Sequence, residues 1–241
     1  RKVNILMGTN ASGKTSLGKM FKNIFSFIRR KELVNITDSI ADFEKESYFL
    51  IDFIPDKIHL CRVEVNIPPK GDEEYSIDRC KISIKWVKIK KEDNYERCAK
   101  KIDMGKEIKE LNGLEGLEKF SNAVGFGWYF IHPFGSNIKI GDLENALYLK
   151  ILKNTLMTLD NSIVDVIRLN GIDDTYAIVM YNKNQPIIQK GKLLGPNNIL
   201  SSGTEAGIGI ADLLTSIIEH KNGFYYCDEM FSYIHSDIER A

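Results

Sequence analysis

A strand that stops at a glycine-rich turn and restarts as a helix constrains a fold more tightly than any other feature of this chain, and residues 3–30 carry one. Val3, Asn4, Ile5, Leu6 and Met7 are short and apolar enough for a buried strand. Gly8, Thr9, Asn10, Ala11, Ser12, Gly13, Lys14 and Thr15 then match the G-x-x-x-x-G-K-S/T phosphate-binding loop. After the loop, Leu17, Met20, Phe21, Ile24 and Ile28 recur at helical spacing.

The chemistry of such a loop needs these residues in this order. Glycines let consecutive backbone N–H groups point into one concave nest for an anion. The helix opening at Gly13 adds unpaired N–H groups and the positive end of its dipole. Lys14 can reach the β- and γ-phosphates, and the Thr15 hydroxyl can ligate Mg²⁺. Gly8, Asn10, Ser12, Gly13, Lys14, Thr15 and Ser16 are therefore the expected phosphate-binding residues.

The chain has 241 residues, enough to bury a substantial core. Lys plus Arg equals Asp plus Glu at 33 each, so net charge makes no case for nucleic acid or membrane. Between residues 79 and 101 there are nine basic and three acidic residues, read as a solvated face in preference to a DNA groove. Cys61, Cys80, Cys98 and Cys227 lack metal-ligand spacing and are expected as buried free thiols, which suits a reducing cytoplasm. No apolar run is long enough to span a bilayer. The chain opens at Arg1 without an initiator Met, so the lack of a visible leader carries little weight.

Residues 31–46 read as a connection with a short helix. Over 47–102 the period changes to two, and the segment is expected to be an antiparallel β lobe with one face wet. Ile82, Ile84 and Trp86 alternate, but Val87 and Ile89 then take the apolar positions, a slip that predicts a bulge. Residues 105–125 and 144–159 read as amphipathic helices within a helical lobe over 105–195, and 126–134 as irregular. The stripe Leu149, Leu152, Leu156 and Leu159 is expected to be core.

A second motif precedes the last helix: Leu200, Ser201, Ser202, Gly203 and Thr204, then Ile208, Ala211, Leu214, Ile217 and Ile218 on its apolar side. Taken alone it is either an N-cap or a second anion site. A third follows, where Phe224, Tyr225, Tyr226 and Cys227 lead into Asp228 and Glu229 at a strand end. Asp228 there can help hold Mg²⁺, and Glu229 can polarise an attacking water.

In this order the motifs resemble the ATP-binding-cassette type of P-loop ATPase. They are more closely similar to the stand-alone bacterial AAA-type ATPases akin to the RecF, SMC and OLD groups. The resemblance covers both ends of the chain; the middle matches in architecture only. It implies an α/β fold, a single ATPase domain over 1–241 with its β lobe at 47–102 and its signature, helix and acidic strand at 198–241. The sheet is expected to be incomplete, because a switch histidine normally follows one further strand. His235 stands too early for that role and is read as part of the segment Ile234, His235, Ser236. Neither Gln185 nor Gln189 is expected to serve as the family's mid-chain glutamine.

The resemblance further implies that Ser201, Ser202, Gly203 and Thr204 form a signature contacting ATP held by an opposite subunit. The expected activity is ATP hydrolysis with ATP and Mg²⁺ as cofactors, Lys14 and Glu229 as catalytic residues, and Thr15 and Asp228 on the metal. The expected assembly is a homodimer or higher homo-oligomer that pairs head-to-tail on ATP and drives a protein effector, in bacterial anti-phage defence or DNA maintenance. DNA is a further candidate partner, and no membrane is expected. The alternative is the nucleotide-binding subunit of a membrane transporter; the Ser-Ser-Gly-Thr signature and the large β lobe argue against it. A non-hydrolysing scaffold is a third reading, opposed by the intact pair Asp228 and Glu229.

Overall fold

The computed structural model describes residues 13–72, 74–124, 127–132, 135–136, 138–139, 144–195, 199–219, 223–230 and 232. The expected strand at 3–7 and the loop residues Gly8 to Ser12 lie outside them, as do Asn198, Ile234, His235 and Ser236. The chain is mixed α/β with antiparallel and parallel pairing. It divides into two compact units, Arg1–Gly18 with Tyr129–Ala241 and Lys19–Trp128.

The unit Lys19–Trp128 holds most of helix α1 (Lys14–Arg30), the short α2 (Val34–Thr37) and an antiparallel sheet. Its strands β1 (Ser47–Phe53), β2 (His59–Ile67), β3 (Lys81–Lys88) and β4 (Ile108–Asn112) pair in sequence order. Side chains alternate faces along a strand. One face therefore carries Phe49, Ile51, Phe53, Val63, Val65 and Ile84, and meets aromatics of α1 and of α4 (Gly113–Ala123) edge-on: Phe25 with Phe53, Phe27 with Phe49, Phe53 with Phe120.

The second face is wet over much of its area, as expected, with Tyr48, Leu50 and Lys81 exposed, but one end of it is covered. Helix α3 (Tyr95–Asp103), capped by the Asn94 side chain accepting from the Arg97 N–H, buries Cys98 and Ile102 against Leu60 and Val87. That covering explains the apolar slip at Val87. The pairing runs without interruption from His59↔Lys88 to Asn66↔Lys81, so no bulge exists there; Val87 is apolar because α3 sits over it. On the same face Arg62 makes two bonds to Asp52 at 2.7 Å and one to Asp103 at 2.5 Å. Residues 105–125 are likewise not one helix. Ile108 to Asn112 pair with β3 before α4 begins, because the strand completes the sheet edge that α4 then packs beneath.

In the other unit, β5 (Gly127–His132) replaces the irregular segment expected at 126–134. Trp128, Tyr129, Phe130 and Ile131 are aromatic or β-branched, which favours a strand wherever a packed sheet face is available. β5 lies between β6 (Gly135–Ser136) and β11 (Gly223–Cys227). Within residues 105–195, read as a helical lobe and connections with a strand-like run at 176–181, lies an antiparallel sheet in the order β10 (Lys192–Leu194), β9 (Ile187–Gln189), β8 (Thr175–Met180) and β7 (Ile163–Arg168), so that β8 falls on the strand-like run. Helices α5 (Asn145–Leu159) and α6 (Ser202–Ile218) pack together beside it. Tyr148, Leu152 and Leu156 of α5 are fully buried with Ile178 and Ile188 of the sheet and Ala211 of α6. The apolar face of α6 is displaced from the expected one. Ile208 and Ala211 are buried, but Leu214 and Ile218 are exposed, while Asp212, Thr215 and Ser216 are buried. Hydrogen bonds make that burial tolerable: Tyr148 Oη donates to Asp212 at 3.0 Å, Thr215 Oγ1 donates to the Ala211 carbonyl at 2.7 Å, and Ser216 Oγ lies 2.8 Å from Tyr225 Oη.

Candidate functional site

Helix α1 starts at Lys14, where the loop motif requires it to start. Gly13 precedes it with φ +85°, in the left-handed region that a glycine enters without strain. The Leu17 N–H donates to the Gly13 carbonyl at 2.9 Å and closes the first turn. Lys14 is half-buried, while Thr15 and Ser16 are exposed on that turn. The earlier N–H groups of a helix have no acceptor within it, so this turn is chemically suited to anionic oxygens.

Strand β11 fixes the turn in place. Tyr226 Oη donates to the Lys14 carbonyl at 2.6 Å. The Tyr226 ring stacks on Phe130 of β5, with centroids 5.7 Å apart and planes within 3°. Gly18 lies directly on this pair: a Cβ there would stand 2.3 Å from Tyr226 Cε1 and 2.7 Å from Phe130 Cε2. A residue with any side chain would push α1 away from the sheet, so Gly18 sets how near Lys14 comes to β11.

Asp228 and Glu229 follow β11 directly, as the sequence suggested. The Asp228 N–H donates to the Ile131 carbonyl at 2.9 Å, which ties the end of β11 to β5. Asp228 is half-buried and Glu229 exposed. Glu229 has φ +49°, a left-handed conformation that a residue with a Cβ adopts at a cost of about 1–2 kcal/mol. The Ser232 N–H closes the turn on the Glu229 carbonyl at 3.0 Å. Burial first, and the Asp228 charge second, push the Tyr226 phenol above its ordinary range.

An exposed hydroxyl on Thr15 and a half-buried carboxylate on Asp228 are hard oxygen donors. They fit Mg²⁺, which binds through one or two protein oxygens plus phosphate and water. Among the described residues, no group of three or more His, Cys, Asp or Glu side chains is placed to hold a metal ion by itself.

The residues of the second motif separate into two kinds. Ser201 and Ser202 are exposed and Gly203 is half-buried, but Thr204 is fully buried. Ser201 is the N-cap of α6 and accepts from the Thr204 N–H at 3.1 Å. The Thr204 hydroxyl lies 2.7 Å from Ser201 Oγ and donates to Asp160 Oδ2 at 3.2 Å. The N-cap reading of this motif is therefore realised, and Thr204 serves it from inside.

Elsewhere the sequence signals are spread out. Gln189 lies in β9 and Gln185 is exposed before it. The lysines of the basic stretch are partly neutralised within their own unit: Lys85 pairs with Glu64 at 3.5 Å, Lys90 with Glu107 at 3.0 Å and Lys101 with Asp93 at 2.7 Å. Cys61, Cys80 and Cys98 are buried free thiols, and burial pushes the Cys61 thiol up to about 12; Cys227, the last residue of β11, is exposed, contrary to expectation, although its thiol is packed closely enough to be pushed up to about 11. Among the described residues, no helix is long and apolar enough to cross a membrane.

Three positioning residues escaped the sequence reading. Gly18 had no motif to mark it, though a glycine inside an amphipathic helix is itself a sign of close backbone approach, and Tyr226 was read only as one apolar residue of the strand before the acidic pair. Asp160, just past the helix at 144–159, drew no reading at all. Comparison with protein-family models, curated proteins and solved structures found no match to this chain.

Proposed function

We propose that the chain is a P-loop ATPase whose ATP-bound form pairs with a second copy and uses hydrolysis to reset the pair. The observation that carries this reading is the Tyr226 bond to the Lys14 carbonyl, which joins the start of α1 to the strand that leads into Asp228. Lys14 would draw charge from the β- and γ-phosphates, and the N–H groups of the first turn of α1 would cradle their oxygens. Thr15 and Asp228 would hold Mg²⁺, which supplies charge neutralisation at the phosphates. Glu229, exposed beyond the strand end, would accept a proton from the attacking water. ATP in preference to GTP, head-to-tail pairing through Ser201, and coupling to a protein effector in anti-phage defence or DNA maintenance extend the same proposal from the sequence resemblance.

The test is phosphate release by the full chain with Mg²⁺ and ATP, alongside Lys14→Ala and Glu229→Gln. Loss of ATP binding in the first, and retained binding with turnover lowered about 10²–10⁴-fold in the second, would support the assignment. Equal turnover in all three proteins would remove it.

A further inference from the structure

Ser201, Thr204 and Asp160 form a chain of hydrogen bonds whose direction can be read from donor counting. The inference drawn from it rests on the reading that Ser201 meets a phosphate held by an opposite subunit. A hydroxyl has one proton to give, and an ionised carboxylate only accepts. Asp160 Oδ1 takes the Ser162 N–H at 2.9 Å and the Ser162 hydroxyl at 2.6 Å, and Oδ2 takes the Thr204 hydroxyl at 3.2 Å. The single proton of Thr204 is thereby committed to Asp160. The proton in the 2.7 Å contact between Ser201 Oγ and Thr204 Oγ1 must then come from Ser201. Ser201 Oγ also accepts the Thr204 N–H at 3.1 Å, so only a lone pair is left facing outward. Phosphate oxygens are acceptors too, so this arrangement gives an incoming phosphate nothing to bond to at Ser201.

We propose that Asp160 is a positioning residue that turns the Ser201 proton inward, so that a single subunit keeps its signature unreceptive to phosphate until pairing reorients the hydroxyl. Thr204 transmits the effect because it is fully buried and has no water with which to exchange the bond. Burial alone would raise the Asp160 carboxyl, but the bonds from Ser162 and Thr204 outweigh it and hold the group below its ordinary value, so it is ionised at neutral pH.

Asp160→Asn reverses the chain without changing its shape. The two Ser162 donors keep the amide oxygen on their side, which leaves the amide NH₂ facing Thr204 Oγ1. Thr204 must then accept from residue 160 and give its own proton to Ser201, and the Ser201 proton is released outward. Thr204→Val frees the same proton by removing the intermediate hydroxyl.

The experiment measures the dimer dissociation constant of full-length Glu229→Gln in Mg²⁺ and ATP by sedimentation, with and without Asp160→Asn, Thr204→Val and Ser201→Ala. Asp160→Asn and Thr204→Val are each expected to tighten pairing by roughly 10- to 100-fold, the worth of about one hydrogen bond at each of the two signatures in the pair, and Ser201→Ala to erase the gain. A merely structural role for Asp160 would weaken pairing or leave it alone. If pairing occurs but neither substitution tightens it, or the gain survives Ser201→Ala, the role of Asp160 is overturned and the ATPase reading stands. If Mg²⁺ and ATP produce no pairing at all, the reading fails and takes this inference with it.

Discussion

Tyr226 Oη and the Lys14 carbonyl are 2.6 Å apart, so the strand that ends in the acidic pair holds the first turn of the loop helix by its backbone. Removing that hydroxyl keeps the ring stacked on Phe130 and deletes one bond. Tyr226→Phe is expected to lower unfolding free energy by about 1 kcal/mol, read from urea midpoints, and to weaken ATP binding by several-fold. Stability loss with unchanged nucleotide affinity would detach Tyr226 from the site.

Gly18 tests the same joint by steric means. Gly18→Ala drives a methyl group into the Tyr226 and Phe130 rings, and overpacking of this kind costs about 1–3 kcal/mol. Nucleotide affinity should fall more than in Tyr226→Phe, because the whole first turn must move. Adding Phe130→Leu opens space and should recover part of both losses.

These two residues also mark what was legible in the sequence. The loop motif announced where α1 begins, and the acidic pair announced where a strand ends, because both are short local patterns with fixed residue types. The strand β5 beside them went unread. Its run of Trp128, Tyr129, Phe130 and Ile131 has no alternation to display when both faces pack against other elements. The slip at Val87 misled for a related reason: a period reports which face is buried, and α3 buries a patch of the face that the period had assigned to solvent. Asp160 and Tyr226 act across 44 and 212 positions, distances over which no local pattern speaks.

Glu229 combines a left-handed backbone with its proposed role as base. Glu229→Gly should relieve the backbone and raise stability by about 0.5–1 kcal/mol while abolishing turnover. Glu229→Gln should lose turnover with no gain in stability. Thermal melts beside phosphate-release assays separate the two, and equal melting temperatures would show that the turn carries no strain.

Arg62 is held in a buried ionic cluster, its side chain 9 % exposed and that of Asp52 7 % exposed. Arg62→Ala would strand the Asp52 carboxylate and cost about 3–5 kcal/mol, enough to unfold much of that unit. Restoring stability by adding Asp52→Leu would show that the lost charge balance, and not lost volume, was responsible.

Acid should weaken the fold through Asp160. Its folded-state pKa lies below the unfolded value of about 3.9, so its contribution is complete above that pH and disappears as pH falls through the folded value. Asp93 and Asp165 share the direction through their bonds to Lys101 and Lys153. Urea midpoints should fall below pH ~4, and Asp160→Asn should make the fall shallower. An identical slope in the variant would mean that Asp160 is not among the groups responsible.

The joint between Lys14 and Tyr226 has a temporal consequence. Its partners leave the ribosome 212 residues apart, which at ordinary synthesis speeds of ~5–20 residues per second is roughly 10–40 s. Throughout that interval the loop helix exists without the strand that seats it. A nascent chain halted anywhere before Tyr226 should therefore be unable to retain nucleotide, however well its Lys19–Trp128 portion has already folded.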